Sequence, residues 1–379
     1  MPPSPMSSTT TAAGQSTGPV PFKDIVVDAA TTAGGERQPP AEEYRDIIAT
    51  LPHKQSTPFT RVHEYDGAWI LDDWLPGTMA FRRRFEARAA GDVVLASLPK
   101  CGTTWLKALA FATAARGRYD PSSTGDGDRR HPLRRLNPHE CVPFAEVVYN
   151  AGGRRSSTRR RRRGSSARTR RILSCQRLSP RAPPAKSYTS LDVTMGILPL
   201  CVSMTSEMQP KDMLISFWHF INKRIKPNTI PFSDIWNSIY NDAYPESPIW
   251  EHILGYWNMS KIQSDRVLFL KYEDVLRDPI TNVEKIAEFI GQPFSDAEKE
   301  AGIVESIMKL CSLENLKASA MNSTSNYQRL MKEVPSESFF RKGVVGDWAN
   351  YITPDMAERM DKFLAEKFHG SGFSFTDCL

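Results

Sequence analysis

The strongest constraint on the fold is a strand-loop-helix stretch at residues 95–109, Leu-Ala-Ser-Leu-Pro-Lys-Cys-Gly-Thr-Thr-Trp-Leu-Lys-Ala-Leu. The β-rich run Val93 to Leu98 stops at Pro99, and a helical pattern begins at Thr103 after a turn. A helix N-terminus aims unpaired backbone N–H groups and the positive end of its dipole at one point. Because Lys100 and two hydroxyl groups lie beside that point, the stretch predicts a cradle for a phosphate or sulfate.

The plain alternative is an ordinary strand-to-helix turn of an α/β core. The stretch does not match the loop of nucleotide triphosphatases, because the first Gly of Gly-x-x-x-x-Gly-Lys-Ser/Thr is missing. Residues 99–106, Pro-Lys-Cys-Gly-Thr-Thr-Trp-Leu, resemble instead the Pro-Lys-Ser-Gly-Thr-Thr-Trp-Leu loop of cytosolic sulfotransferases in the plant branch, with Cys in the place of Ser. The resemblance implies that this loop binds the sulfate donor through Lys100, Cys101, Gly102, Thr103, Thr104 and Trp105.

A second motif lies near the C-terminus, Phe-Phe-Arg-Lys-Gly-Val-Val-Gly-Asp-Trp at residues 339–348. Two adjacent cations and two glycines suit a loop whose backbone approaches a phosphate closely. Alone, the motif is as compatible with a basic surface turn. It resembles the Arg-Lys-Gly-x-x-Gly-Asp-Trp motif of the same family, and this implies that Arg341, Lys342 and Gly343 clamp the 3′-phosphate of the donor.

Three further positions carry over from the resemblance. Tyr272 follows a buried-strand pattern and would contact the adenine, whereas Ser216, on a predicted helix from Lys211 to Lys223, would contact the 3′-phosphate. Ser312 would lie near the nucleotide. The segment from residue 137 to 145 resembles part of the family's acceptor pocket, and the apolar patch at residues 69–75 is predicted to pack in the core or to line that pocket.

Length and cysteine usage limit the class of protein. The chain of 379 residues is long enough for a substantial α/β core, and its six cysteines lack the spacing of a disulfide framework or a zinc site. No apolar run approaches the roughly 20 residues that a membrane-spanning helix needs. The N-terminus has no secretory signal pattern. We therefore expect a cytoplasmic protein without a metal cofactor and without membrane attachment.

The net charge of +6 comes from one segment. Residues 151–191 contain twelve Arg, one Lys and no acidic residue, so the remainder of the chain is net negative. Within the wider stretch 154–209, an unbroken Arg run and several prolines leave neither a helical nor a strand period. A solvated insertion and an anion-binding patch for nucleic acid or membrane both fit this composition, but the aromatic side chains typical of nucleic-acid binding are scarce.

A third interpretation is that residues 154–209 are out of register with their gene. The family has a Thr-His followed by a Pro in this region, and an Arg four positions before the Asp of its Cys-Arg-x-Pro-Lys-Asp segment. This chain has Met208 in the place of the Arg, and no His lies between His139 and His219. One permitted codon choice for residues 187–194, read one nucleotide later, gives Ala-Thr-His-Pro-Trp-Met-Leu-Pro. This hypothesis of a frameshift or mis-splice predicts that transcript sequencing will not reproduce the Arg-rich frame.

The predicted organisation is a disordered N-terminal tail at residues 1–40 and one domain at 45–375, interrupted by the atypical segment 154–209. The resemblance implies a single α/β domain with a parallel sheet flanked by helices, the P-loop-like sulfotransferase fold. It also implies transfer of a sulfuryl group from 3′-phosphoadenylyl sulfate (PAPS) to a hydroxyl of a small acceptor such as a flavonoid, steroid or hormone.

The predicted chemistry is incomplete. Lys100 is the expected catalytic cation, which stabilises charge on the leaving phosphate, but the sequence offers no occupant for the role of general base. His219 and His252 are predicted to be structural. The printed sequence therefore predicts weak or absent turnover, and the alternative function is a non-catalytic nucleotide-binding relative whose Arg-rich segment binds anions. The sequence does not indicate the oligomeric state.

Overall fold

The computed structural model describes most of the chain. The described residues are 18–26, 39–85, 92–124, 130–150, 171–175, 201–224, 229–321 and 336–375.

A four-stranded parallel sheet forms the centre of the fold. Its strands are β4 (Asp92–Ala96), β5 (Arg171–Cys175), β6 (Cys201–Glu207) and β7 (Val267–Lys271), in the order β5-β4-β6-β7. Every residue of β4 is buried. A strand with neighbours on both sides and helices on both faces needs apolar side chains at successive positions, which the sequence Val-Val-Leu-Ala supplies.

A second, smaller sheet lies N-terminal to the first. It contains β1 (His53–Thr57), β2 (Thr60–Tyr65) and β3 (Ala68–Leu71) as consecutive antiparallel strands. Asp66 and Gly67 make the turn between β2 and β3, both with positive φ (52° and 72°). This tight turn returns the chain so that the end of β3 and the following residues reach the cavity described below.

The helices surround the central sheet. In chain order they are α1 (Phe22–Val26), α2 (Pro40–Glu43), α3 (Arg45–Thr50), α4 (Leu75–Arg84), α5 (Thr103–Ala115), α6 (Pro138–Cys141), α7 (Ala145–Asn150), α8 (Pro210–Arg224), α9 (Phe232–Tyr240), α10 (Ile249–Ile262), α11 (Tyr272–Arg277), α12 (Pro279–Phe289), α13 (Asp296–Glu300), α14 (Ile303–Leu310), α15 (Leu313–Met321) and α16 (Pro354–Phe368). Short 3₁₀ helices occur at Pro132–Arg134, Ser336–Phe339 and Asp347–Asn350.

The two faces of β4 pack into different parts of the core. Val93 and Leu95 belong to a cluster with residues of α5, α12 and α14. Val94 and Ala96 face the other side and pack with α4, β5 and α10. Because side chains alternate along a strand, this division follows directly from the extended backbone. The prediction of a parallel sheet flanked by helices is thus confirmed.

The prediction that residues 154–209 carry no strand pattern is wrong for the two parts of that segment that the structure describes, 171–175 and 201–209. β5 pairs with one edge of β4 and β6 pairs with its other edge, with Val94 opposite Leu173 and Ser203. The Ile172-Leu173 pair supplies the apolar contacts on both faces of β5. A strand this short forms mainly because its backbone pairs with that of a neighbouring strand. Its few apolar residues show no clear period in the sequence, since Arg residues flank them. Residues 176–200 lie outside the described residues.

The N-terminal segment also differs from the predicted tail where the structure describes it. Residues 18–26 include α1, whose Lys23 Nζ lies 2.8 Å from Oε1 of the buried Glu140. Asp24 pairs with Arg135. These ion pairs hold α1 against α6, so order at residues 18–26 depends on tertiary contacts that composition does not reveal. The other predicted tail residues, apart from 39 and 40, lie outside the described residues.

Candidate functional site

A cavity of about 640 Å³ opens at the carboxyl ends of the central strands. The loop after β4, the residues after β6 and the first residue of α11 after β7 all contribute to its wall. Ligands of open parallel sheets bind in the crevice at the carboxyl ends of the strands. Of the predicted site residues, those that line the cavity are Lys100, Gly102, Thr103, Thr104, Trp105, Ser216, Tyr272, Ser312, Arg341 and Gly343.

The loop between β4 and α5 turns sharply. Lys100 has a φ of +69° and Gly102 a φ of +81°, so two of its residues adopt the left-handed conformation. Such a conformation costs a non-glycine residue of order 1 kcal/mol and persists only where the surroundings enforce it. Ser97 and Thr103 exchange a hydroxyl hydrogen bond of 2.6 Å across the loop, and Tyr244 donates its hydroxyl to the Pro99 carbonyl at 3.1 Å.

The Lys100 side chain is half-buried at this loop, with Nζ 4.4 Å from the centre of the Phe220 ring. Burial lowers its pKa to about 7, and the nearby cations Arg341 and Lys223 lower it in the same direction. The charge of Arg341 thus acts on Lys100, so the two motifs lie close together although some 240 residues separate them in the chain. Both cations raise the electrostatic potential of one cavity, which favours an anion there.

Thr104, at the second position of α5, is hydrogen-bonded to a histidine. Its Oγ1 lies 3.1 Å from Nε2 of His139, and Nδ1 of the same ring lies 3.0 Å from Nζ of Lys107. His139 is only 1% exposed, and it lines the cavity together with Thr104. The sequence resemblance did not single out His139, because its partners on α5 lie more than 30 residues earlier in the chain.

The aromatic residues of the predicted adenine site lie together. The rings of Trp105 and Tyr272 are 5.7 Å apart and meet edge to face. Burial raises the pKa of the Tyr272 phenol to about 12, so the hydroxyl stays protonated. Ser312 lines the same cavity at the start of α15, with its hydroxyl accepting the backbone N–H of Asn315 at 3.3 Å.

The loop with the second motif is held by two carboxylates. Asp347 accepts hydrogen bonds from Arg341 and, at 2.7 Å, from Lys342. Burial opposes ionisation of Asp347, but the bonds from Lys342 and Arg341 outweigh it and lower its pKa to about 2. Asp212 of α8 accepts the backbone N–H groups of Gly346 and Trp348 at 2.7 and 2.9 Å. The loop is therefore tied to the helix that carries Ser216.

Gly343 allows the loop to approach α15. It has a φ of +68°, and a Cβ there would lie 3.0 Å from Cδ2 of Leu313. A larger residue would be strained in its backbone and would press on the start of α15. The glycine thus brings the backbone of this loop to the cavity wall.

The remaining wall of the cavity is formed by the smaller sheet and α7. It includes Leu71 and Trp74, and the ring of Phe144 lies edge to face with that of Trp74, 5.1 Å between centres. The patch at residues 69–75 thus follows both predicted alternatives. Leu71 and Trp74 line the cavity, whereas Ile70 and Leu75 are buried in the core. Glu146 adds a buried carboxylate to this wall, a residue that sequence reasoning did not select.

A close contact fixes this wall. Gly77 of α4 lies so near the backbone carbonyl of Glu146 that any Cβ would overlap with it. The two helices α4 and α7 therefore pack backbone to backbone at this point, and the glycine determines how far α7 stands from the cavity.

Two predicted donor-binding residues have side chains that do not line the cavity. Cys101 is fully buried in the core cluster with Leu98 and Tyr244, and its backbone N–H donates to the Leu98 carbonyl at 3.2 Å. Burial, followed by the neighbouring Glu207, raises the pKa of its thiol well above the usual value. The Lys342 side chain is 51% exposed and turns toward Asp347. The left-handed turn at Lys100 directs Cys101 inward, which the linear motif does not indicate.

The other two histidines considered in the sequence lie outside the cavity wall. His219 bonds to the Tyr351 hydroxyl at 3.1 Å, and His252 bonds to the buried Glu207 at 3.1 Å. Among the residues that the structure describes, no cluster of His, Cys, Asp and Glu suits a metal ion. No described helix is long and apolar enough to cross a bilayer. Residues 187–194, where the alternative reading frame would supply the family's Thr-His, lie outside the described residues.

Comparison with known proteins agrees with this geometry. Residues 90–372 match the model of the sulfotransferase domain. Cytosolic sulfotransferase 8 of Arabidopsis thaliana is 34% identical over 334 residues, 88% of this chain and 93% of that protein. Flavonol 3-sulfotransferase of Flaveria bidentis is 35% identical over 336 residues, 86% of this chain and 98% of that protein.

Two solved structures are similar in three dimensions. A crystal structure of an Arabidopsis thaliana protein, considered a candidate steroid sulphotransferase, has a TM-score of 0.63 at 28% identity and covers 91% of this chain and 99% of its own. Retinol dehydratase in complex with androsterone and the inactive cofactor PAP has a TM-score of 0.56, covering 90% of this chain and 97% of its own. At 17% identity, the second likeness concerns the fold alone.

Proposed function

Because the chain belongs to the plant cytosolic sulfotransferase family and transfers a sulfuryl group to small acceptors, we propose that its donor is PAPS and that the acceptor group is a hydroxyl of a flavonoid, a steroid or a hormone of similar size. We further propose a cytosolic location, as in the relatives named cytosolic sulfotransferases. Residues 45–375 would form one catalytic domain around the central sheet.

One observation carries the proposal: two motifs far apart in sequence line one cavity. The cradle offers the α5 N-terminus, Thr103, Thr104 and the ammonium of Lys100. Arg341 approaches from the other motif. A ligand with two separate anionic groups joined by an adenosine would satisfy both, and the ring pair Trp105–Tyr272 offers the apolar surface that an adenine needs. The residues present thus fit PAPS.

The proposed chemistry assigns Lys100 to the leaving group. The oxygen of an acceptor hydroxyl attacks sulfur in line and loses its proton to water, since no residue is assigned as general base. The bond between sulfur and the bridging phosphate oxygen breaks, and negative charge develops on that phosphate oxygen. Lys100 and the α5 N–H groups stabilise this charge because they are already directed at the position where it develops. Arg341, Ser216 and Gly343 would hold the 3′-phosphate, with Ser312 and Tyr272 near the nucleoside. Lys342 would act through Asp347, whereas Cys101 would only support the turn, because its backbone N–H bonds to Leu98 and its thiol is buried.

The acceptor would bind against Leu71, Trp74 and Phe144. Flat aromatic or steroidal skeletons suit such a wall, because offset and edge contacts with rings add to the burial of apolar surface. Glu146 would accept a hydrogen bond from an acceptor hydroxyl. The name of the Flaveria relative points to flavonols as the first acceptors to assay.

The test is calorimetric titration of the full chain with 3′-phosphoadenosine 5′-phosphate (PAP), followed by a sulfation assay on a panel of flavonols and sterols with PAPS. We expect binding that Arg341→Ala weakens, and sulfated product from at least one acceptor class. The exposed Arg277→Ala serves as a control of equal charge change. Binding without turnover would favour the non-catalytic alternative, and no binding by the unmodified chain would refute the proposal.

The register hypothesis for residues 154–209 remains a prediction. Sequencing the transcript across this segment tests it directly, because confirmation of the Arg-rich frame would reject it. In that case the chain lacks the family's general base, whose absence typically reduces turnover by about 10² to 10⁴. Restoring the alternative frame over residues 187–194 would then be expected to raise turnover by the same factor.

A further inference from the structure

His139 lies where it can influence the donor site without forming a family motif. The short helix α6 that carries it is fixed by a capping box, in which Asn137 accepts the backbone N–H of His139 at 3.0 Å and Glu140 accepts that of Asn137 at 2.9 Å. The imidazole stacks on Phe144 with 5.0 Å between ring centres and contacts Phe339 at 4.3 Å. Its position and orientation are therefore set by packing on both sides.

The contacts of the two ring nitrogens determine where the proton of His139 lies. A lysine ammonium only donates hydrogen bonds, so Nδ1, at 3.0 Å from Nζ of Lys107, must accept. Burial lowers the pKa of His139 well below its usual value, and the charges of Lys107 and Lys100 lower it further, so the ring is neutral. The single proton of a neutral ring whose Nδ1 accepts is on Nε2. Nε2–H thus donates to Oγ1 of Thr104, 3.1 Å away.

This bond occupies the Thr104 hydroxyl as an acceptor and leaves its proton to be donated. Its oxygen accepts from His139, and within the described part of the chain the side chain has no other hydrogen-bond partner. A threonine hydroxyl inside a helix often donates to the carbonyl one turn earlier, which would turn its proton away from a ligand. A hydroxyl that already accepts a bond is polarised and becomes a better donor. Thr104 lines the cavity at the α5 N-terminus, so an anion there is the available acceptor.

We propose that His139 is a positioning residue of the donor site, held by Lys107 and acting through Thr104, whose hydroxyl proton it leaves free to donate to the 5′-phosphate of the nucleotide. The inference rests on the proposed function, since it takes the 5′-phosphate to bind at the α5 N-terminus. His139 does not itself touch the ligand in this scheme and does not remove the acceptor proton, because both of its nitrogens are engaged by α5.

A positioning role and a purely structural role of His139 predict different effects on two ligands, one with a 5′-phosphate and one without it. PAP has a 5′-phosphate, whereas adenosine 3′-monophosphate lacks it and keeps the adenosine and the 3′-phosphate. Loss of the Thr104 contact should therefore weaken PAP alone. A general disturbance of the cavity through Phe144 or Phe339 would weaken both ligands.

The experiment measures the dissociation constants of both nucleotides by calorimetry for the full chain and for His139→Ala, His139→Gln, Thr104→Val and the double variant His139→Ala/Thr104→Val. A hydrogen bond to a charged group contributes roughly 1.5–3 kcal/mol, so Thr104→Val should weaken PAP about 10- to 100-fold. We expect about a tenfold loss for His139→Ala, a smaller loss for His139→Gln, whose amide still donates to Thr104, and no further loss when His139→Ala is added to Thr104→Val.

Adenosine 3′-monophosphate should bind all five proteins equally. The matched control is His131→Asn, since His131 is also fully buried but does not line the cavity, and Asn keeps its capping bond to the backbone of Leu133. Equal losses for both nucleotides, or additive losses in the double variant, would overturn the proposal. If His139→Ala does not fold, His139→Gln and Thr104→Val decide the question. Failure of the unmodified chain to bind PAP would instead overturn the proposed function, and this inference with it.

Discussion

The cradle at residues 97–104 and the clamp loop at residues 341–348 both present cations to one cavity, but they hold them differently. In the cradle, Lys100 is half-buried near Arg341 and Lys223, and its pKa falls to about 7. In the clamp, Arg341 and Lys342 share Asp347, whose pKa is lowered to about 2. The clamp is therefore an ion-pair network that is complete without a ligand, whereas the charge of the cradle depends on pH and on what binds.

This difference between the clamp and the cradle indicates how one site can bind the nucleotide and also stabilise the charge that develops on its leaving group. A preformed ion pair loses little by reorganisation when a phosphate approaches. A lysine with a pKa of about 7 carries only about half of its charge at neutral pH and gains the rest when an anion is present, so its interaction strengthens as charge develops on the leaving group. We infer that the clamp contributes to binding alone, whereas the cradle contributes both to binding and to rate.

The largest effect should come from removing the cradle cation. Lys100→Met keeps the volume of the half-buried side chain but loses a charge-assisted bond to phosphate, so PAP should bind roughly 10- to 100-fold more weakly at pH 6, measured by calorimetry. The matched change in the clamp, Lys342→Met, should cost less than about threefold, because that side chain is half exposed and paired. Equal losses for the two variants would remove the distinction between cradle and clamp.

A smaller effect is expected from pH. The ammonium of Lys100 is half-neutral near pH 7 in the free protein, and an anion raises its pKa, so binding takes up a proton above that pH. Affinity for PAP should fall by up to about tenfold in total between pH 7 and 9. Lys100→Arg, whose guanidinium stays charged, should flatten the profile over this range. A profile that stays steep in that variant would assign the titration to another group.

The smallest effect concerns the clamp carboxylate. Asp347 has a folded-state pKa of about 2, below its usual value of about 3.9, so it adds stability above pH 4 that is lost as the pH falls toward 2. Asp347→Asn should lower the free energy of unfolding at pH 7 by about 1 kcal/mol, since solvent around the exposed Lys342 screens the pair.

Urea unfolding of both proteins at pH 7 and pH 3 measures this contribution. The difference between them should shrink at the lower pH, where the carboxylate is mostly protonated in the unfolded chain but still mostly charged in the native protein. Glu300→Gln, a neutralisation at an exposed position of α13, controls for the change in net charge. A difference that is the same at both pH values would show that Asp347 stabilises the loop by packing and not by its charge.

The sequence predicted the local elements that carry the motifs. Thr103 begins α5 as its pattern indicates, and α8 extends by one residue at each end beyond the predicted helix from Lys211 to Lys223. Capping residues, prolines and apolar periods encode such boundaries within one or two turns of chain. The positions of Lys100 and Arg341 in one cavity also followed from the resemblance.

Other features depended on partners far along the chain. β5 and β6 flank β4 although their own segment reads as irregular, because backbone pairing with a buried neighbour supplies what local propensity lacks. His139 reaches Thr104 and Lys107 only because α6 packs against α5. Cys101 belongs to a binding motif by sequence, but its thiol is in the core. Each case reverses a local interpretation through contacts between distant residues.

The sequence by itself thus determined the family, the class of fold and the two loops that we propose bind phosphate, since short motifs encode backbone turns and the charges on them. The tertiary structure decided which side chains of those loops face the cavity, which cation is paired and which has a lowered pKa, and which residues outside the motifs join the wall. These properties depend on burial and on electrostatic fields, which sum over the whole surrounding protein and are therefore not encoded in any one stretch of chain.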